Sequence, residues 1–305
     1  MTSRENGATQ LRGYAFIILA NLSFAVGWSF VTATEGDFSA WQLILLRGVV
    51  FVLALTPWAI RNPRVAAGVN RRLLVLRGLL GTGMMVCLAY AVLLLPLSTA
   101  TILGKTTPFW DLVFLWVLLS LRPVLSEILL VPVAFVGLLL ILVPEGQLSI
   151  ATVSHTGLLL GLAAGMFNGL EFITLRWLRR DEPTHTVNLW YAGITIILTL
   201  PFAIGSPWPD QPMIWFFAVM FGLSSFFGQT LLAEAMETIT PTVASVSCLL
   251  VPAFATLIGW VVFGQLLSGL ELVGITVVLT AGALMQIRES RQRDGLGAAK
   301  FRWQK

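Results

Sequence analysis

Residues 97–119 read LSTATILGKTTPFWDLVFLWVLL, and this stretch decides how the rest of the chain is interpreted. It is apolar over about the 20 residues that a helix needs to cross a bilayer. Nine more segments share this character. Since 57% of the 305 residues are hydrophobic and only 11% are charged, against roughly 25% charged residues in soluble domains, the sequence predicts an all-α integral membrane protein.

Ten spanning helices are predicted, with two long apolar stretches divided where Pro and Gly favour turns. The predicted helices cover residues 13–34, 40–60, 74–95, 97–119, 126–143, 156–177, 184–204, 211–233, 238–263 and 268–287.

The positions of the 19 lysines and arginines predict the orientation, because positively charged loops stay on the cytoplasmic side of the membrane. With the N terminus inside, 17 of them, Arg77 included, fall in predicted cytoplasmic segments. Arg47 and Lys105 lie within predicted helices instead. We therefore expect a multi-pass protein of the bacterial inner membrane with both termini cytoplasmic. The basic tail 289–305 is expected to touch anionic lipid, which accounts for the basic charge without a nucleic-acid partner.

A constant offset of 144 residues relates the two halves of the chain, 1–144 and 145–288. At this offset Pro108 matches Pro252, and Glu127 matches Glu271. Because each half has five helices, an odd number, the second half must enter the membrane upside down relative to the first. Such inverted repeats are a recurrent architecture of secondary transporters, in which the substrate binds near the midplane.

Short motifs also run through both halves. They are Arg12-Gly13, Leu46-Arg47, LRGLLG at 76–81, Ala89-Tyr90-Ala91, PLSTAT at 96–101, Thr107-Pro108-Phe109, Gly228-Gln229, Pro241, Pro252, Gly259-Trp260 and Phe263-Gly264. Together they resemble the EamA type of the drug/metabolite transporter superfamily. The resemblance implies ten helices around a central cavity lined mainly by helices 1, 3, 4, 6, 8 and 9. It also implies movement of amino acids, nucleosides, vitamins, opines or similar metabolites.

This sequence departs from the family pattern at two places. Family members often carry Gly-Glu after helices 4 and 9, whereas this chain has Ser120-Leu121 and Gly264-Gln265. Any role of those glutamates is therefore absent.

Charged residues within the predicted helices are costly to insert and are functional candidates. Glu127 and Glu271 are related by the repeat and begin helices, which favours a structural capping role. Four others break the symmetry of the repeat. Arg47, Lys105, Asp111 and Glu171 align with Tyr191, Leu249, Ala255 and Gly27. A scaffold requirement would more readily be met in both halves, so this asymmetry favours function.

Lys105 is the first candidate for substrate binding. It lies between Gly104, which leaves room for a ligand, and Pro108, whose ring removes a helical donor and frees a carbonyl one turn back. We expect its ammonium group to bind a substrate carboxylate or another anionic group. The alternative is a permanent ion pair with Asp111 or Glu171.

Glu171, with Asn168 one turn before it, could hold a substrate ammonium group or the coupling proton, and the alternative is an ion pair with Arg176 or Lys105. Asp111 is a second candidate for proton coupling, unless it is simply hydrated. Arg47 matches the second-helix arginine of the family, and a structural role is favoured for it.

Further polar and aromatic residues fall where the resemblance places the cavity, although most such residues join helices to one another. Those expected to contact substrate are Asn21, Trp28, Tyr90, Gln229 and Ser245, with Glu234 and Ser247 nearby in sequence.

These observations predict a secondary transporter of small polar metabolites that works by alternating access. The favoured cargo is an amino-acid-like zwitterion or anion, opines included, moved by export. The alternative is import of a cofactor-sized metabolite such as riboflavin or S-adenosylmethionine. An integral-membrane enzyme or a channel is disfavoured. The two histidines, His155 and His185, fall at helix boundaries on opposite sides of the membrane, and no cluster of Cys, His and carboxylate residues is seen in the sequence. No metal site or cofactor is therefore predicted, and a homodimer is left open.

Overall fold

The computed structural model describes residues 3–34, 37–95, 97–120, 123–142, 154–264 and 266–295, and the regular secondary structure within these ranges is α-helical. The helices are α1 (Ser3–Thr32), α2 (Ala40–Arg61), α3 (Pro63–Ala66), α4 (Arg71–Leu94), α5 (Leu97–Gly104), α6 (Thr107–Leu119), α7 (Leu125–Leu142), α8 (His155–Asp181), α9 (Thr184–Ile204), α10 (Pro212–Ala235), α11 (Pro241–Ser247), α12 (Leu250–Phe263) and α13 (Gly269–Gly295).

The architecture confirms the predicted all-α membrane fold of two inverted five-helix repeats. Among the described residues, 9 segments are long and apolar enough to cross a bilayer. The fourth of the ten predicted spanning segments is not among them, because it consists of the two short helices α5 and α6. The outermost helices are longer than predicted, because α1 begins at Ser3 and α13 continues to Gly295, within the predicted tail. The rest of that tail, 296–305, lies outside the described residues.

Two of the predicted spanning segments, 97–119 and 238–263, are not continuous helices. The first is interrupted at Lys105-Thr106 and the second at Cys248-Leu249, and the second also begins later, at Pro241. The two breaks are related by the offset of 144 residues, since position 105 matches position 249.

Proline explains both breaks. Pro108 and Pro252 have no N–H to donate to the carbonyl four residues earlier, and their rings clash with it. These carbonyls belong to Gly104 and Cys248, the residues at which the helices break. Each half therefore contains one discontinuous helix, the feature around which inverted-repeat transporters build their substrate sites.

The packing follows the repeat. Helix α1 packs against α10 and α8 against α4, while α2 packs against α9 and α7 against α13. The backbone repeats in detail, since α6 and α12 end at Ser120 and Gly264, 144 positions apart, with φ of 54° and 64°. At the same offset, Phe51 matches Thr195 and Phe226 matches Thr82. The contact between the two phenylalanine rings, with centroids 5.3 Å apart, is therefore replaced by the Thr82–Thr195 hydrogen bond at the equivalent place.

The N-terminal caps of α7 and α13 confirm the expected structural role of two carboxylates. Glu127 accepts a hydrogen bond from the Val124 N–H at 3.0 Å. Glu271 accepts one from the Ser268 N–H at 2.6 Å, and the Ser268 hydroxyl accepts one from the Glu271 N–H at 3.2 Å. This reciprocal pair is a capping box.

Candidate functional site

Lys105 lies at the break between α5 and α6 and reaches the break in the other discontinuous helix. Its Nζ donates to the carbonyl oxygen of Cys248 at 3.3 Å. Because Pro252 cannot donate to that carbonyl, the oxygen is available to the lysine. Within the described ranges, Lys105 has no carboxylate at ion-pair distance. The alternative of a fixed pair with Asp111 or Glu171 is therefore not what the structure shows.

Asp111, one turn inside α6, is completely buried, with 0% exposure. It faces Gly169 of α8, where an added Cβ would lie 3.0 Å from Oδ1. Ser245 of α11 is beside it, but the Ser245 hydroxyl donates to the Thr242 carbonyl at 3.0 Å. Neither carboxylate oxygen has a partner of good hydrogen-bond geometry among the described residues. Asp111 is thus sequestered rather than on a hydrated surface.

Glu171 of α8 pairs with Arg77 of α4, at 2.8 Å between Oε1 and Nη2, and both side chains are buried. The partner is thus neither Arg176 nor Lys105. The placement of Arg77 in a cytoplasmic segment was wrong, because α4 begins at Arg71 and Arg77 lies more than one turn inside it, with 0% exposure. Gln229 of α10 adds a long contact of 3.5 Å to Glu171 Oε1.

Arg47 joins the two halves of the protein. Its Nη1 donates to the hydroxyl of Tyr191 at 2.6 Å and contacts the sulfur of Met85 at 3.0 Å. Arg47 and Tyr191 are themselves 144 residues apart, so this bond joins equivalent positions of the two repeats. The guanidinium groups of Arg47 and Arg77 lie over the Tyr191 ring, at 5.4 and 4.7 Å from its centroid.

Gly81 allows this close packing. A Cβ at position 81 would lie 2.7 Å from Arg77 Nη1, 2.8 Å from the Tyr191 ring and 3.2 Å from Glu171 Cδ. A side chain at position 81 would require the Arg77 guanidinium and the Tyr191 ring to shift, so glycine allows α4 to lie close to α8 and α9 at the ion pair.

The two predicted asparagines join helices within the site. Asn168 Nδ2 donates to Thr107 Oγ1 at 3.0 Å, which ties α8 to the start of α6. Asn21 is fully buried and donates to the carbonyl of Ser247, at the end of α11, at 2.9 Å. Its Oδ1 has no partner among the described residues.

The remaining residues predicted from the family resemblance lie in different surroundings. Trp28 packs at 5.8 Å on Phe221 and Tyr90 at 5.7 Å on Trp41, and both are exposed over more than a third of their surface. Glu234 belongs to a separate cluster at the end of α10, where it lies 3.5 Å from Arg179.

Three of the four charges that break the symmetry of the repeat, Lys105, Asp111 and Glu171, lie near Cys248, whose thiol is within electrostatic range of all three. The residue that sequence reasoning missed is Arg77. A signal for it existed, since Arg77 aligns with Phe221 at the offset of 144 and so breaks the symmetry as the other candidates do. Among the described residues, no cluster of His, Cys, Asp and Glu could hold a metal ion.

Comparisons with known proteins identify the family of the chain and its fold. The profile of the EamA-like transporter family matches residues 11–143 and 155–286. The pseudopaline exporter CntI of Pseudomonas aeruginosa is 23% identical over 277 residues, covering 88% of this chain and 94% of that protein. Solute carrier family 35 member G1 of Mus musculus is 25% identical over 239 residues, covering 74% of this chain and 64% of that protein.

A solved crystal structure superimposes with a TM-score of 0.78 at 18% identity, covering 94% of this chain and 99% of the other, and so shows the same fold. The family profile matches both halves of the chain, each with its own discontinuous helix. This chain belongs to the EamA-like transporter family.

Proposed function

We propose that this protein is a secondary transporter that exports small zwitterionic or anionic metabolites, opines included, across the inner membrane of a bacterium by alternating access, with both termini cytoplasmic. One observation carries the proposal. Lys105 and Asp111 have opposite charges and lie in the membrane interior, and neither has an ionic partner among the described residues.

An unpaired charge in the membrane interior is costly, about 2.5–3.5 kcal/mol on insertion scales. A structural ion pair would lower this cost, and the chain forms such a pair between Arg77 and Glu171. Lys105 and Asp111 do not pair with each other, so in their charged forms both need a counter-charge from a bound molecule. An amino-acid-like cargo supplies both, with a carboxylate for Lys105 and an ammonium group for Asp111.

The position of Lys105 supports alternating access. Lys105 is at the break of one discontinuous helix and binds the freed carbonyl at the break of the other. A cargo carboxylate that attracts the ammonium group away from Cys248 would loosen this contact between the two halves. Binding and conformational change would then be linked at a single side chain.

The direction of transport rests on a relative. The pseudopaline exporter CntI aligns with this chain over nearly its whole length, and its name describes export. Proton coupling would use Asp111 or Glu171, the two carboxylates that the site holds. A proton and a substrate ammonium group would then compete for Asp111.

The test is counterflow in liposomes that contain the purified protein, with amino acids, nucleosides, vitamins and opine-like metabolites at two pH values. We expect saturable flux of zwitterions or anions. Replacing Lys105→Gln should lower kcat/KM about 10- to 150-fold, because a hydrogen bond to a charged group contributes about 1.5–3 kcal/mol.

The matched control is Arg72→Gln, which removes a positive charge from an exposed position in the first turn of α4. Its flux should equal that of the unmodified protein. If Lys105→Gln transports as well as Arg72→Gln, Lys105 does not bind the cargo. If no compound moves although the protein is folded, the proposed function is wrong.

A further inference from the structure

The buried cluster of Arg47, Tyr191, Arg77 and Glu171 contains two guanidinium groups and one carboxylate. We propose that this cluster is a second anion subsite, so that the cargo carries two carboxylates and one amine. The inference rests on the proposed function, because it specifies which class of zwitterion or anion the transporter takes.

Arg47 provides the first line of evidence. Its exposure is 4%, yet its hydrogen-bonding contacts are with neutral groups, the hydroxyl of Tyr191 and the sulfur of Met85. Its Nε has no hydrogen-bond partner in the described part of the chain, and none of the ion pairs found there includes it. Buried arginines are normally paired with an anion, so the position lacks its natural partner.

Arg77 lies on the same tyrosine ring and has donors to spare. Its Nη2 lies 2.8 Å from Glu171 Oε1 in an ion pair, and among the described residues none of its three guanidinium nitrogens has a partner of good hydrogen-bond geometry. A guanidinium group has five N–H donors and often binds a carboxylate through two of them. A second carboxylate beside Tyr191 would therefore find donors on both arginines.

The other half of the protein shows that the fold does not require these charges. At the offset of 144 residues, Arg77 and Glu171 correspond to Phe221 and Gly27. A Cβ at Gly27 would lie 3.3 Å from Ser224 Cβ and 3.5 Å from the Phe221 ring, so the equivalent contact between helices is made there without charged groups. The charged version is present in one half only, as expected for a site that binds an asymmetric ligand.

The balance of charge selects the cargo. The site region holds three cations, Arg47, Arg77 and Lys105, and with both carboxylates ionised it holds two anions, Asp111 and Glu171. A cargo with one carboxylate and one ammonium group would leave one positive charge uncompensated in the membrane interior, which is unfavourable. A cargo with two carboxylates and one amine has a net charge of −1 and neutralises the region.

The experiment is counterflow in liposomes with matched pairs that differ by one carboxylate. The probes are glutamate with glutamine, aspartate with asparagine, and N-(1-carboxyethyl) amino acids with their parent amino acids. In whichever pair moves, we expect the member with two carboxylates to be preferred at least about tenfold, the effect of one charge-assisted hydrogen bond. Arg47→Gln should reduce this preference at least about threefold, and Arg47→Lys, which keeps the charge, should reduce it less.

The outcomes are separable. Equal flux of the two members of each pair, or a preference for the member with one carboxylate, overturns the second subsite but leaves the proposed function standing. An unchanged preference in folded Arg47→Gln overturns the role of Arg47. No flux of any probe or other metabolite is the failure of the proposed function itself. If Arg47→Gln does not fold, the proposal is still tested by the preference of the unmodified protein for two carboxylates and by the same preference in the Arg47→Lys variant.

Discussion

Replacement of Arg77 by methionine should lower the free energy of unfolding by about 3–5 kcal/mol, the usual cost of breaking a buried ion pair by removing one partner. The pair spans 2.8 Å, and its side chains have exposures of 0% and 4%. Methionine roughly retains the volume but leaves the Glu171 carboxylate without a cation. Gln229, at 3.5 Å from Oε1, is too distant and lacks the charge to replace the arginine.

The double variant Arg77→Met, Glu171→Gln should recover at least about half of that loss, because removing both charges also removes the uncompensated one. A coupling energy of at least about 2 kcal/mol between the two positions is therefore expected in a double-mutant cycle. Arg72→Met, at an exposed position of the same helix, should change stability by less than about 0.5 kcal/mol.

Reversible unfolding in mixed detergent micelles with increasing dodecyl sulfate provides the measurement. The 11 tryptophans give a fluorescence signal for it. The reasoning fails if Arg77→Met costs less than about 1 kcal/mol, or if the double variant is as unstable as the single one, since breaking a buried pair should cost more than that. Either result would mean that Glu171 is neutral or finds a new partner without Arg77.

Two further predictions use the same unfolding assay and hydrogen exchange. Gly274→Ala should lower the free energy of unfolding by about 1–3 kcal/mol, because its Cβ would lie 2.6 Å from a backbone oxygen of the facing helix α7. Gly282→Ala in the same helix, where a Cβ would have nothing within 4 Å, should not lower it. Equal effects of the two substitutions would contradict the packing of α7 on α13. Arg179→Gln should speed amide exchange in residues 233–239 about tenfold or more, since its buried guanidinium binds a carbonyl at 3.0 Å there. Arg180 is exposed, so Arg180→Gln should leave amide exchange unchanged. An identical response of both variants would mean that the hydrogen bond from Arg179 does not stabilise residues 233–239.

Most of the fold could be predicted from the sequence, because the bilayer imposes a simple rule on chain length and polarity. Ten apolar segments and one constant offset were sufficient to predict two inverted repeats. The breaks at Lys105 and Cys248 were harder to place. Pro108 and Pro252 were visible in the sequence, but whether a proline kinks or interrupts a membrane helix depends on the groups that satisfy its freed carbonyl. One of these groups, the ammonium of Lys105 at the Cys248 carbonyl, comes from the other half of the protein.

The composition of the site was partly predictable, whereas its pairing was not. Lys105, Asp111 and Glu171 were identified because they break the symmetry of the repeat, and the structure brings them together around Cys248. Which cation faces which carboxylate depends on the rotation and spacing of α4 and α8, and spacing along the chain contains no information about this. Arg77 was missed because it is close enough to the start of its helix to be counted with the cytoplasmic charges.

The inverted repeat acts as an internal control for the role of each charge. Where both halves keep a residue, as with Glu127 and Glu271, the structure shows a helix cap. Where the halves differ, the uncharged half shows what packing alone requires, and Gly27 against Phe221 and Ser224 is sufficient there. The charges of Arg77 and Glu171 at the equivalent contact are therefore additions to a scaffold that packs without them. Such additions carry an insertion cost, and binding of an asymmetric charged cargo is the role that we propose for them.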